Sequence, residues 1–267
     1  MRRTGYREYV TLLVTLGLLV TVLPGSVQAD DERLPDGGPT FDVNVDIALS
    51  SLASLGDGHL QKMADSLHIL ATSQAVRSAD WDRIREPYAE LATRNVSALN
   101  WFALPDGSYW SLQSGKEAGN LAHRDYLPKV LAGETVIGDL LLSTATGKPM
   151  AIVAVPVYDA DQAVVGVLGA SVYLEELSEV VRQQMGVGEG VIFYSFNQEG
   201  LVGLVYDRGL IFFEPRKSDD QGLVQAFDEM LSREDGIVTY AFEGQARTVA
   251  YRRSPLTGWW YAFGILR

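Results

Sequence analysis

The sequence reads as α+β: a long N-terminal helix leading into two antiparallel-sheet subdomains. Three observations carry this. From residue 41 to 76 the apolar residues Val45, Leu49, Leu52, Leu55, Leu60, Met63, Leu67 and Leu70 recur at helical spacing. After residue 97, short apolar runs punctuated by turn residues replace that period. The order two strands, a helix, then two or three strands occurs twice, which is the pattern of a duplicated αβ unit.

The first 29 residues read as a leader. Arg2, Arg3 and Arg7 give a basic start, residues 9–23 are an apolar run, Pro24-Gly25 breaks a helix, and Val27-Gln28-Ala29 offers small residues for cleavage. The run is shorter than the ~20 apolar residues of a spanning helix, so a cleaved signal peptide and a periplasmic or secreted product are expected, with an uncleaved anchor as the alternative. Losing residues 1–29 removes Arg2, Arg3, Arg7 and Glu8 and moves the formal charge from −12 to −14. So acidic a chain does not track nucleic acid or anionic lipid. With no cysteine there is neither a disulfide nor a thiolate metal site.

Residues 30–40, charged and rich in Pro and Gly, form a flexible lead-in, and 41–96 a helical region. Gly56 and Gly58 fall inside its first helix, where they kink or split it. Asp80 is placed to cap a second helix at 81–94. A first sheet unit spans 97–187, with strands near 99–104 and 109–112 around Pro105-Asp106-Gly107, a helix at 124–131, strands near 149–158 and 164–173, and a connecting helix at 174–185. A second unit spans 188–267, with strands near 191–196 and 201–206, a helix at 221–232, and strands near 237–242, 247–252 and 259–265. Several strands are apolar on both faces, so both sheet faces are expected to be covered, leaving room for a roofed pocket.

Residues 100–177 contain NWFALPDGSYWSLQ, then NLAHRDYLPKVLAGE, then TGKPMAIVAVPVYDADQAVVGVLGASVYLEEL. This stretch resembles the PAS-like extracytoplasmic sensor module called Cache, and the ending SPLTGWWYAFGIL resembles the membrane-proximal half of the double Cache form. The resemblance implies a double Cache fold with a distal and a proximal subdomain, small-molecule binding and sensing across a membrane. Nothing follows the module here, so a stand-alone sensor read by a separate membrane-bound receptor or kinase is expected.

In the amino-acid-binding branch the resemblance implies a Tyr, four residues, then Arg-x-Trp-Tyr, with acidic residues on later strands holding the ligand ammonium. Arg124 occupies the Arg position, Tyr126 stands where Trp is expected, Leu127 replaces the next Tyr, and Gly119 takes the upstream Tyr position. The expected Tyr-x-Asp becomes Leu141 and Ser143, and Ser171 falls near the last Asp. The carboxylate anchor is kept and the amine clamp is lost, which implies an organic-acid-like ligand. The candidate ligand-binding residues are Arg124, Tyr126, Trp110, Trp101, Ser143 and Ser171. Against this stand plainer roles: Arg124 paired with Asp125 or Glu134, Trp101 and Trp110 as core, and the serines bonded locally.

Enzyme signatures fail at particular letters. Gly169-Ala170-Ser171-Val172-Tyr173 lacks the final Gly of a nucleophile elbow. Before Thr146-Gly147-Lys148, Leu142 stands where a phosphate loop needs Gly, and Pro149 replaces its Ser or Thr. His59, His68 and His123 have no zinc-ligand spacing. No catalysis, metal or cofactor is therefore expected. Two functions remain open: an exported binding protein for a small carboxylate, or a non-liganded docking module of the cell envelope.

Overall fold

The structure, a computed structural model, describes residues 44–144, 146–188 and 190–266. The leader and the 30–40 lead-in lie outside the described residues. The architecture is α+β. Helix α1 (Val45–Ala71), a short α2 (Gln74–Arg77) and α3 (Trp81–Ala92) precede a six-stranded antiparallel sheet. Its strands are β1 (Ala98–Ala103), β2 (Ser108–Ser111), β3 (Gly115–Asn120), β4 (Val136–Leu142), β5 (Pro149–Tyr158) and β6 (Val164–Tyr173). They lie in the order β3-β2-β1-β6-β5-β4, with α4 (Tyr126–Leu131) between β3 and β4 in the chain.

Helix α5 (Leu174–Met185) leads into a five-stranded antiparallel sheet of β7 (Val191–Phe196), β8 (Val202–Val205), β9 (Asp235–Phe242), β10 (Gln245–Arg253) and β11 (Trp260–Leu266), ordered β8-β7-β11-β10-β9. Helix α6 (Gln221–Leu231) covers one face of it.

Local chemistry explains most of these elements. Asn44 accepts from the Asp46 amide and Asp80 from the Asp82 amide, so each long N-terminal helix starts on a side-chain cap. Between β1 and β2, Gly107 takes φ 81°, and its amide bonds to the Leu104 carbonyl at 2.9 Å, closing the expected tight turn. Alternation along β5 divides two cores. Ala151, Val153, Val155 and Val157 face α1, while Ile152 and Ala154 face α4. Leu49, Leu52, Leu60 and Leu67 of α1 are fully buried, each adding roughly 1.5–3 kcal/mol of hydrophobic stabilisation.

One expectation is corrected. Gly56 and Gly58 neither kink nor split α1, which runs unbroken through both. Gly56 is there for approach: a β-carbon at this position would lie 2.6 Å from the Tyr261 hydroxyl oxygen. Beyond the expected strands, the first sheet has one more at each edge: 115–120 forms β3 and 136–142 forms β4. Among the described residues no helix is long and apolar enough to cross a membrane.

Candidate functional site: a cleft beneath Arg124

The face of the first sheet turned away from α1 carries a narrow cleft. Its floor is Trp101 on β1, Ile152 on β5 and Ser171 on β6; Tyr109 on β2 forms one wall. Arg124 and Tyr126 at the start of α4, with Leu141, Ser143 and Thr144 at the end of β4, close the other side. The cavity volume is about 30 Å³, room for one or two water molecules.

Trp101 sits on the floor because β6 has no side chain beneath it. A β-carbon at Gly169 would come 2.2 Å from the indole. The indole N–H donates to Ser171 Oγ at 3.0 Å, and the ring lies 5.9 Å from that of Tyr126. Ser171 is thus committed to a buried partner. Ser143 is buried as well and accepts from the Thr146 amide at 3.1 Å, so its hydroxyl orders the turn that ends β4.

Arg124 is half-buried. Its Nη2 reaches the Leu142 carbonyl at 3.5 Å and Thr144 Oγ1 at 3.4 Å, both long for hydrogen bonds. It makes no ion pair with Asp125 or Glu134; the nearby acids are engaged elsewhere, Asp139 with Lys129 at 3.7 Å and Glu117 with the Ser111 hydroxyl at 2.5 Å. Burial pushes the Tyr126 hydroxyl up, and the Arg124 charge works against it. Burial and Glu117 also raise Tyr109, again opposed by Arg124. The guanidinium field therefore reaches both phenols, and no carboxylate lines the cleft.

Five of the six candidate residues, Arg124, Tyr126, Trp101, Ser143 and Ser171, come together here. Trp110 does not. It lies on the opposite face of β2, packed toward the α1 core, with Lys116 Nζ 5.6 Å from its ring centre. Leu127 is fully buried under the cleft and not in its wall. Tyr109 and Thr144 were missed. Hairpin register would have found Tyr109: it faces Ala103, two residues from Trp101 and so on the same sheet face. Among the described residues no His, Cys, Asp or Glu cluster is suited to a metal.

Comparison with solved structures places this architecture. The chain overlays the ligand-binding domain of the Pseudomonas aeruginosa amino acid chemoreceptor PctB, in complex with L-Arg, with TM-score 0.66 at 14% identity, covering 84% of this chain and 95% of that one. The ligand-binding domain of the Pseudomonas fluorescens chemoreceptor CtaA, in complex with L-isoleucine, is similar with TM-score 0.62 at 14% identity, covering 83% and 89%. An extracellular ligand-binding receptor from Desulfohalobium retbaense matches with TM-score 0.68 at 12% identity; 85% of this chain spans only 41% of that one. Among curated proteins nothing matches. A family model described as Cache domain matches residues 44–266. The chain thus belongs to the Cache domain family, whose members are extracytoplasmic sensor domains.

Proposed function

We propose that this chain is an exported sensor that binds a small carboxylate in the Arg124 cleft and is read by a separate membrane-bound receptor or kinase. One observation carries the ligand class: among the described residues Arg124 has no ion-pair partner, and its guanidinium faces a cleft whose lining holds no carboxylate. A fork of parallel N–H donors suits a carboxylate. An α-ammonium bound beside it would be left without a counter-charge, at a cost of several kcal/mol. Two of the neighbours above, the PctB and CtaA domains, hold amino acids. This cleft, with Ser143 and Ser171 in place of acids, favours acids without an amine.

One observation favours a second reading. A cavity of about 30 Å³ with Leu141 in its wall is smaller than most metabolites, as a non-liganded docking module would have it. A thermal-shift screen of protein beginning near Asp30 separates the two. Under the first reading, organic acids raise the melting temperature by mass action and amines do not. A flat response across acids, amino acids and amines would retire the first reading and leave the second.

A further inference from the structure

The second sheet has a cleft of its own, on the face covered by α6. Tyr194, Tyr206, Tyr240, Phe213 and Phe242 contribute to its lining, and Arg247 is the sole charged residue there. Arg247 sits on β10 directly across from Tyr240 on β9, and its guanidinium lies over the Phe242 ring, 4.5 Å from the centroid. Only 4% of this arginine is exposed. Its Nε finds no acceptor, and among the described residues no carboxylate lies within ion-pair distance.

A guanidinium buried this far is costly unless paired, and an aromatic face returns only part of that cost. A neutral donor stands beside the charge. The Tyr194 and Tyr240 hydroxyls are 2.9 Å apart; when Tyr194 donates to Tyr240 rather than to Met230 Sδ, 3.8 Å away, the Tyr240 O–H is left to donate into the cleft. Burial pushes both hydroxyls up, and the Arg247 charge opposes this at each, with a hydrogen bond from Arg247 as well at Tyr240. Both phenols are therefore protonated donors at neutral pH. A fixed cation, a neutral O–H and an apolar wall are complementary to one chemical class.

We propose that this cleft is a second binding site, for a short aliphatic carboxylate, with Arg247 as counter-charge, Tyr240 as second donor and Leu210 and Phe213 around the carbon tail. As it stands its cavity of about 30 Å³ has room for one or two water molecules, so only a short acid that displaces the roof enters. Its roof, which carries Leu210 and Phe213, is tied to β8 by two backbone bonds, Phe212 amide to Val202 carbonyl at 2.8 Å and Val202 amide to Phe213 carbonyl at 3.0 Å. Phe212 holds φ 64°, a strained setting for a bulky residue. The site is independent of the Arg124 cleft, which lies on the other sheet.

The test uses arginine side-chain ¹⁵N–¹H spectra of the mature chain, titrated with sodium propionate, with sodium chloride and propionamide as controls. The Arg247 Nε–H resonance, assigned from Arg247→Lys, is expected to shift with propionate alone, in the parent and in Arg124→Ala. Arg247→Met should weaken that propionate response at least tenfold by calorimetry, and Arg247→Lys should weaken it less. An Nε–H resonance unmoved by propionate overturns the proposal even if Arg247→Met fails to fold. So does a propionate response abolished by Arg124→Ala alone, which would leave the distal reading standing.

Discussion

The Tyr261 hydroxyl donates to Asp57 Oδ1 at 2.8 Å, reaching α1 at the spot where Gly56 leaves no side chain in the way. The same carboxylate accepts from Ser254 Oγ at 2.5 Å and from Thr257 Oγ1 at 3.3 Å. One acidic residue on α1 thus gathers the turn before β11 and the strand itself. Tyr261→Phe, which leaves Asp57 its other two donors, should cost about 1 kcal/mol in urea unfolding. Gly56→Ala should cost more, roughly 1–3 kcal/mol, because its methyl must displace a fully buried ring. Equal stability of Gly56→Ala and the parent would show that the close approach is not a constraint.

Ser171 separates a structural role from a ligand role. Removing its hydroxyl leaves the buried Trp101 indole N–H without its acceptor, so Ser171→Ala should lower stability by about 1–3 kcal/mol. If Ser171 served chiefly the ligand, the variant would keep full stability and lose only affinity.

Arg124→Ala should leave far-ultraviolet circular dichroism unchanged, since its two bonds are long and half-exposed. Its organic-acid affinity, measured by calorimetry, should fall by about 2–5 kcal/mol. Arg124→Lys should recover only part of this, lacking the planar fork. Acids without an α-amine should bind at least as well as their amino-acid counterparts; tighter binding of the amino acids would reverse the ligand class.

Glu179 on α5 supplies a pH prediction. Hydrogen bonds from Arg182 first, then Gln183 and Arg208, hold its carboxyl down to about 2. A carboxylate with a depressed folded-state value contributes stability that is complete above its ordinary range and is lost as pH falls through the folded value. The loss should therefore run from about pH 4.3 down through about 2. Carbon-13 titration of the Glu179 carboxyl should give a midpoint near 2. Arg208→Ala should raise it only partway, because Arg182 and Gln183 remain; a parent midpoint in the ordinary carboxylate range would refute the network.

Hydrophobic period and turn chemistry were enough to read α1, the β1–β2 hairpin, the long strands β5 and β6, and α5, whose boundaries fall at Leu174–Met185 as expected. The edge strands β3 and β4 were not legible. β3 is GKEAGN, with no apolar alternation to mark it, and its residues are half-exposed or exposed throughout. β4 contains Gly138 at φ 94°, where the register slips between Ile137 and Asp139, and such a bulge breaks a period of two. Of the cleft, the motif position located Arg124 and Tyr126. Trp110 is an aromatic one residue from Tyr109, but strand parity sends it to the other face. Arg247 could not have been singled out at all: an arginine in a β-strand reads as solvent-facing until Phe242 and α6 are folded over it.

Helix α1 joins two tasks in one rod. Its 27 residues extend about 40 Å, with Asp46, Ser50 and Asp57 fastened to β10, β11 and the turn between them, while His68 near the far end meets Thr135 beside β4. A helix shears little along its own axis, so a displacement at the β5 end would be carried along it toward the Asp57 knot. A ligand that moved one sheet would then load the other through that shared helix. Because such coupling is reciprocal, a mutation that loosens the knot should change ligand affinity at the distant cleft without touching it.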